Sequence, residues 1–286
     1  MSETRIIAFA NQKGGVSKTT TVYALGAACA ERGHRVLLVD LDPQASLTIS
    51  AGLRVTPRDP TINAAILEYI QDGETDLLTP AVRTISPRLD LLPSIIDLAS
   101  TAEGPLQSAD RREFVLTDLL QTLADAYDLV LIDCPPSLGI LVINALTAAQ
   151  EVIIPVVPEF LAAHGLHLLL DTIRRVRKKR LNPALLVRGL IFTMVDSRGA
   201  HPRVVMQEIR ESIGAQVPIL GEIKRSVRVA EAADAGLPIT AYAANHDVAI
   251  AYRHLAETLL AAWGLTPAAD VVNVADMAET VGVVHG

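Results

Sequence analysis

Aromatic side chains, cysteines and surplus basic residues are all scarce in this sequence of 286 residues. Phe, Tyr and Trp together make up 3%, so the core must be built from the aliphatic residues that dominate the 50% hydrophobic fraction. The two cysteines, Cys29 and Cys134, lie far apart and form no CxxC, which disfavours a disulfide framework or a cysteine zinc site. The net charge of −7 argues against a chain coated in nucleic acid, although it allows one local basic face.

Long apolar runs and a secretory leader are missing as well. The most apolar stretch, residues 138–158, is interrupted by Asn144, Gln150, Glu151 and Pro155 before it reaches the roughly 20 apolar residues of a membrane span. The opening MSETR leads directly into an apolar segment without the charged, apolar and cleavage regions of a signal peptide. We therefore expect a cytoplasmic protein without a membrane partner.

Six short apolar runs predict the fold. Runs of this length suit strands that are covered on both faces, and the segments between them suit crossover helices. The fold class expected is α/β, a doubly wound, mostly parallel sheet with helices on both faces. The segment 54–108, rich in Pro, Thr and Asp, is predicted to be the least regular part. The runs are residues 5–10, 35–40, 89–94, 128–133, 151–157 and 185–195.

One domain is expected over residues 1–264, because no repeat or low-complexity linker divides that part of the chain. The segment 265–286 contains neither Lys nor Arg and is predicted to be a loosely ordered tail.

The loop after the first strand is the strongest candidate for a ligand site, since doubly wound sheets bind ligands beyond the carboxyl ends of their strands. It reads NQKGGVSKTTT, a strand, a Gly-containing turn and a helix start whose amide groups favour phosphate. Lys18 would reach the outer phosphates and the Thr19 hydroxyl would ligate Mg²⁺. The pattern G-x-x-x-x-G-K-[ST] fails at Gln12 and Ser17, although a serine at position 17 can cap the helix. The alternative is an ordinary turn followed by a surface lysine.

Acidic residues follow two other predicted strands at the same edge of the sheet. Asp40 and Asp42 occur in VDLDPQ, and Asp133 ends LVLID. Carboxylates there can bind Mg²⁺, directly or through water, or orient an attacking water. For Asp42 the alternative is a plain turn aspartate before Pro43.

The segment KGGVSKTT resembles the deviant P-loop of the ParA and MinD group of ATPases, usually KGGxGK[ST]. The resemblance implies a P-loop NTPase fold of the deviant Walker A type, with ATP and Mg²⁺ as cofactors. It places Lys18 and Asp42 in catalysis, together with Lys13, which would cross a nucleotide-sandwiched dimer to the partner's phosphates. It assigns the metal to Thr19, Asp42 and Asp133, with Asp40 in support. The nucleotide would contact Gly14, Gly15, Val16, Ser17, Lys18, Thr19 and Thr20.

Two later segments extend the resemblance to about residues 5–260. GLIFTMVDSR is similar to the GxLLTMxDxR segment of ParA proteins, and GEIKRSVRVAEAADAGLPI to their IPRNVRLSEAPSxGxP segment. In that family these stretches form the adenine pocket, which implies that Met194 and residues 223–227, including Arg225, contact the base. Lys224 and Ala233 replace the usual prolines.

Positive charge is concentrated in few places. The run RRVRKKR at residues 174–180 suits either the end of a helix, where cations are favoured by the helix dipole, or a DNA contact. The resemblance implies nonspecific double-stranded DNA as a ligand of the ATP-bound homodimer, with Arg198 and Arg225 in the segments that bind it. Lys224 and Arg228 are further basic candidates for the same contact. Dimerisation would double a modest basic patch.

The function implied by the resemblance is that of a ParA-type DNA-segregation ATPase. Hydrolysis would be slow until a ParB-like centromere-binding protein stimulates it, and the ATP-bound form would associate with the nucleoid. A MinD-like positioning ATPase is one alternative, but it calls for a basic amphipathic helix that the sequence after Leu265 does not provide. A nucleotide-binding scaffold with weak turnover, caused by Ser17, is the other.

Overall fold

The computed structural model describes residues 4–160, 162–196, 200–213 and 217–265. Within these ranges eight strands form one sheet in the order β3-β4-β2-β5-β1-β6-β7-β8. All neighbouring pairs are parallel except β3 and β4, which confirms the predicted doubly wound, mostly parallel class. The strands are β1 (Arg5–Phe9), β2 (Val36–Asp40), β3 (Arg83–Ser86), β4 (Leu89–Leu92), β5 (Leu129–Asp133), β6 (Glu151–Val156), β7 (Leu186–Val195) and β8 (Ile219–Lys224).

Helices cover both faces of the sheet. They are α1 (Lys18–Ala30), α2 (Ser46–Ser50), α3 (Ile62–Asp72), α4 (Leu78–Ala81), α5 (Leu98–Glu103), α6 (Pro105–Ser108), α7 (Val115–Gln121), α8 (Ile140–Ala148), α9 (Ala162–Lys178), α10 (Ala200–Ile213), α11 (Arg228–Asp234), α12 (Ile239–Tyr242) and α13 (Asp247–Ala262). A 3₁₀ turn spans Ala124–Ala126. None of the described helices combines the length and the apolar character that crossing a membrane requires.

The sheet separates two cores because successive side chains of a strand point to opposite faces. Ile7 and Phe9 of β1 pack with α1 and α13, whereas Ala8 packs with α7, α8 and α9 on the other side. The central strands are buried on both faces, as the continuous apolar runs predicted.

Two strands differ from the sequence prediction. The edge strands β3 and β8 carry exposed polar residues, so they lack the continuous apolar run by which the other strands were recognised. Residues 54–108, predicted to be the least regular part, contain α3 to α6 and the strands β3 and β4, and all of these elements except α3 are short.

Helix α1 packs very closely on the sheet. It is rich in small residues, and a Cβ atom added at Gly26 would lie 2.5 Å from Cδ2 of Leu38 in β2. A larger side chain at this position would therefore require α1 or Leu38 to move.

Buried ion pairs join elements at the amino ends of the strands. Glu151, at the start of β6, is 3% exposed. It accepts hydrogen bonds from Arg188 Nε at 2.6 Å and from Trp263 Nε1 at 2.8 Å, which ties β6 to β7 and to the end of α13. Leu265, the last described residue, is buried in the same apolar cluster as Trp263. The predicted tail otherwise lies outside the described residues.

Candidate functional site

The loop between β1 and α1 requires two left-handed residues. Gly15 has φ 70° and Ser17 has φ 60°. Glycine adopts this conformation freely, whereas for an L-residue it costs about 1–2 kcal/mol. The Ser17 side chain makes no capping hydrogen bond, so the predicted serine cap is wrong. The amide groups of the first turn of α1 are left for another acceptor, since no intrahelical carbonyl reaches them.

Lys18 is the first residue of α1 and is only 7% exposed. Its Nζ donates to the carbonyl oxygens of Asn11 at 3.3 Å and Lys13 at 3.2 Å. Burial lowers the pKa of Lys18, while the charge of Asp133 opposes that shift. The loop thus holds a cation against its own backbone, beside the helix amide groups.

Thr19 and Asp133 meet at the carboxyl edge of the sheet. Thr19 Oγ1 donates to Asp133 Oδ2 at 2.6 Å. Asp133 is 1% exposed, and its other oxygen, Oδ1, is buried and has no hydrogen-bond partner among the described residues. Burial raises the pKa of Asp133 well above its ordinary value, and the neighbouring charge of Asp40 adds to the effect. A hydroxyl beside a carboxylate oxygen with free bonding capacity is a donor set that fits a hard divalent cation.

The described residues contain no group of three or more His, Cys, Asp or Glu that could hold a metal by itself. Mg²⁺ usually binds through one or two protein oxygens, with waters and substrate phosphates completing its octahedron. The pair formed by Thr19 and Asp133 therefore suits a cation that arrives with a phosphorylated ligand.

Asp40 and Asp42 are placed differently. Asp40 is fully buried and accepts hydrogen bonds from Thr48 N at 2.8 Å, Thr48 Oγ1 at 2.7 Å and Asp42 N at 3.2 Å. Burial raises its pKa to about 6. Asp42 is half-buried, and its Oδ1 accepts from Gln44 N at 2.9 Å. Asp40 thus anchors the loop to α2, while Asp42 is the more accessible carboxylate.

A cavity of about 400 Å³ opens beside the loop, within the range of small-ligand sites. Met194 (φ 49°) and Arg225 line it together with Ser17 and Thr20. Residues 223–227 contribute as well. The structure thus brings two residues of the predicted phosphate loop, Ser17 and Thr20, next to the residues predicted to contact the base.

Sequence reasoning missed three polar residues that join the parts of this site. Thr193 Oγ1 donates to the carbonyl of Val16 at 3.0 Å, which connects β7 to the loop. Tyr252 OH lies 3.1 Å from Thr21 Oγ1 and also lines the cavity. Asn11 Nδ2 donates to the carbonyl of Pro155 at 2.7 Å. Thr193 and Tyr252 lie within a strand and a helix, where no sequence pattern distinguishes them from core residues.

Lys13 has a partner that the sequence did not reveal. Its Nζ lies 2.6 Å from Glu159 Oε2, and both side chains are about half exposed. This hydrogen bond lowers the pKa of Glu159. The two residues are 146 positions apart, and only the pairing of β1 with β6 brings them together.

The residues predicted to bind DNA differ in their contacts. Lys224 Nζ lies 3.3 Å from Asp247, and Arg228 pairs with Glu231 at 2.7 Å. Arg225 is exposed, and the structure gives its guanidinium no hydrogen bond or ion pair with a described residue. Arg198 lies outside the described residues.

The basic run at 174–180 forms the end of α9 and the turn after it. Arg174 pairs with Asp171 at 2.7 Å, and Arg177 Nε donates to the carbonyl of Leu185 at 2.6 Å. At least part of this run therefore stabilises the helix end and the start of β7.

Comparisons with known proteins agree with this geometry. A family described as AAA domain matches residues 4–187. The chromosome partitioning protein ParA of Caulobacter vibrioides is 41% identical, over 90% of this chain and 94% of that protein. The chromosome-partitioning ATPase Soj of Treponema pallidum is 38% identical, over 90% of this chain and 97% of that protein.

Among solved structures, one from Mycobacterium smegmatis named cobyrinic acid a,c-diamide synthase, with bound ADP and magnesium, has a TM-score of 0.78 and 39% identity. The match covers 91% of this chain and 96% of that one. Together with the site geometry, these similarities show that the chain belongs to the ParA/Soj family of chromosome-partitioning ATPases.

Proposed function

We propose that this chain hydrolyses ATP with Mg²⁺ to drive a cycle of dimerisation and DNA binding in DNA segregation. The observation that carries the proposal is the cluster of Lys18, Thr19 and Asp133 at the start of α1. It contains a buried lysine and a carboxylate oxygen to which no described residue donates a hydrogen bond. Phosphates and a divalent cation are the ligands that would satisfy both groups.

Each part of the loop has a distinct task in this proposal. The first amide groups of α1 and the Lys18 ammonium bind the phosphates, while Thr19 and Asp133 hold the cation. Asp42 accepts a hydrogen bond from the attacking water and orients it. Mg²⁺ held by Thr19 and Asp133 would neutralise the negative charge that develops on the phosphate oxygens when water displaces ADP. The cavity beside Met194 and Arg225 takes the base.

Lys13 extends this chemistry across a homodimer. In our proposal two chains enclose two nucleotides, and each Lys13 stabilises charge on the phosphates of the partner. Lys13 lies at the mouth of the loop with a half-exposed side chain, from which it can turn outwards. We expect Lys13→Ala to bind ATP and remain a monomer, which light scattering with Mg²⁺ and a non-hydrolysable ATP analogue would measure.

DNA binding is assigned to the loop after β8, with Arg225 as the strongest contact. Lys224 and Arg228 each carry a carboxylate partner, so their charge is partly neutralised. A monomer with net charge −7 would hold DNA weakly, whereas a dimer presents the patch twice. A ParB-like centromere-binding protein would stimulate hydrolysis and release the DNA. This cycle would take place in the cytoplasm, on the nucleoid while ATP is bound.

The decisive experiment measures ATP hydrolysis and DNA retention together. We expect slow turnover alone, and faster turnover with DNA and the partner. Arg225→Ala should weaken ATP-dependent DNA retention several-fold and reduce its salt dependence, with a smaller loss for Arg228→Ala, while both variants still bind nucleotide. Equal retention by Arg225→Ala and the wild type in a salt titration would exclude this patch.

The M. smegmatis structure carries the name of an amide-forming enzyme. Because one fold can support many reactions, the name of that structure does not assign an acceptor substrate to this chain. Ser17 in its left-handed conformation favours one other candidate, a nucleotide-dependent scaffold with weak turnover. Turnover that stays near background with both DNA and partner present would favour the scaffold.

A further inference from the structure

We propose that Glu159 is a positioning residue for Lys13. By holding the Lys13 side chain within its own protomer, Glu159 sets the ATP and protein concentrations at which the chain dimerises. The inference rests on the proposed function and adds a residue to it. The observation behind it is the contact of 2.6 Å between Lys13 Nζ and Glu159 Oε2.

The fold holds these two residues together. Lys13 lies in the loop after β1 and Glu159 in the segment after β6, and these strands are neighbours. Asn11 joins the two loops, because its side chain donates to the carbonyl of Pro155 at 2.7 Å and accepts from Lys13 N at 3.0 Å. The contact therefore follows from the architecture of the site.

Of Lys13, only the side chain can move away from its present position. Its amide is bound to Asn11 and its carbonyl to the Lys18 ammonium at 3.2 Å, so the backbone position is fixed by the loop. To reach a partner's phosphates, the Lys13 side chain must turn outwards and exchange a carboxylate for a phosphate. Sandwich formation then requires two such exchanges, one in each protomer.

Glu159 is also the group that balances local positive charge. Lys13 contacts it directly, and Arg225, which lines the base cavity, acts on it electrostatically. Without nucleotide, the carboxylate therefore compensates part of the charge of both cations.

The size of the effect follows from the exposure of the pair. Exposed ion pairs contribute about 0.2–1 kcal/mol, equivalent to about 1.4- to 5-fold in an equilibrium constant. Because two pairs open for each dimer, the factors multiply, and Glu159→Gln should raise the dimerisation constant about 2- to 25-fold. Glu159→Asp, whose shorter side chain keeps the charge, should lie between the variant and the wild type.

The test compares Glu159→Gln with Glu257→Gln, which removes an exposed carboxylate paired with Arg32 at the other end of α1. Dimer fraction is measured by light scattering against protein concentration, with Mg²⁺ and a non-hydrolysable ATP analogue. Nucleotide affinity is measured at concentrations where every variant is monomeric. We expect only Glu159→Gln to dimerise at a lower protein concentration than the wild type, while its monomer binds nucleotide with unchanged affinity. Adding Lys13→Ala to Glu159→Gln should abolish this increase in dimerisation.

A second measurement works on the nucleotide-free monomer. The acylation rate of the Lys13 amine, followed by mass spectrometry, should rise in Glu159→Gln and not in Glu257→Gln. If the wild type dimerises with ATP and Glu159→Gln has the same threshold or a higher one, the role of Glu159 is wrong and the proposed function stands. If neither dimerises, the proposed function fails and the role of Glu159 fails with it.

Discussion

Asp133 and Glu151 are two buried carboxylates at opposite ends of the sheet, and their surroundings differ. Asp133, 1% exposed, has an oxygen that receives no hydrogen bond from the part of the chain that the structure describes, and burial raises its pKa. Burial also acts on Glu151, but the hydrogen bonds and charge of Arg188, with the hydrogen bond of Trp263, outweigh it and lower the pKa. Both oxygens of Glu151 are thus bonded by described residues, while Asp133 keeps one oxygen available to a ligand.

The largest effect is expected at the carboxyl edge. Lys18→Ala removes the buried cation of the phosphate loop and should lower ATP turnover by about 10²- to 10³-fold, as loss of one charge-stabilising group commonly does. Steady-state phosphate release, with the partner and DNA present, measures it. Turnover equal to the wild type would show that the loop has been assigned the wrong role.

Exchanging each carboxylate for its amide should separate stability from activity. Glu151→Gln leaves Arg188 without its counter-charge and should cost about 3 kcal/mol of unfolding free energy, with nucleotide affinity retained. Asp133→Asn removes a desolvated charge, so we expect no loss of stability but loss of Mg²⁺-dependent ATP turnover. Urea denaturation and ATPase assays on both variants test this, and a destabilised Asp133→Asn would contradict the comparison.

The contributions of Glu151 and Asp133 to stability should also change with pH in opposite directions. The lowered pKa of Glu151 means that its contribution to stability is present above its unfolded pKa, about 4.3, and is lost as pH falls through the folded value. The raised pKa of Asp133 means that nucleotide-free protein loses stability as pH rises above about 4. The amount by which Glu151→Gln is less stable than the wild type should therefore grow as pH rises. Over the same range, Asp133→Asn should gain stability relative to the wild type. Parallel curves for the two variants would refute this.

The smallest effect concerns backbone strain. Ser17 at the carboxyl edge and Arg88, in the turn before β4, are both left-handed. Replacing either by glycine should stabilise the fold by about 0.5–1 kcal/mol, because relief of strain exceeds the entropic cost of glycine. Thermal unfolding measures this gain in stability. In ATPase assays Arg88→Gly is the control, and only Ser17→Gly should raise turnover. If Ser17→Gly does not raise turnover, Ser17 is not the cause of slow hydrolysis.

The sequence was sufficient for the fold class and for the placement of the main candidate residues at one edge of the sheet, but it did not reveal Asn11, Thr193 and Tyr252. Continuous apolar runs identified the buried strands, and the motifs at their carboxyl ends brought Lys18, Thr19 and Asp133 into one region. Their tasks, and the role of Lys13, stay predictions until the variants are measured.

What could not be predicted depends on distant contacts. Glu159 pairs with a residue 146 positions away, and Thr193 with one 177 positions away. No local pattern encodes such contacts. The edge strand β8 was missed because one of its faces is exposed, and its residues therefore lack the apolar run of a buried strand.

The close approach of Gly26 to Leu38 has a consequence for interpreting natural variants of this chain. Gly26 lies eight positions after Lys18, about 12 Å along the axis of α1, and touches no part of the ligand cavity. A substitution there would nevertheless require either Leu38 or the helix that carries Lys18 and Thr19 to move. A change at this position that impairs ATP turnover should be understood as a displaced active site, even though it would be classified by location as a mutation of the core.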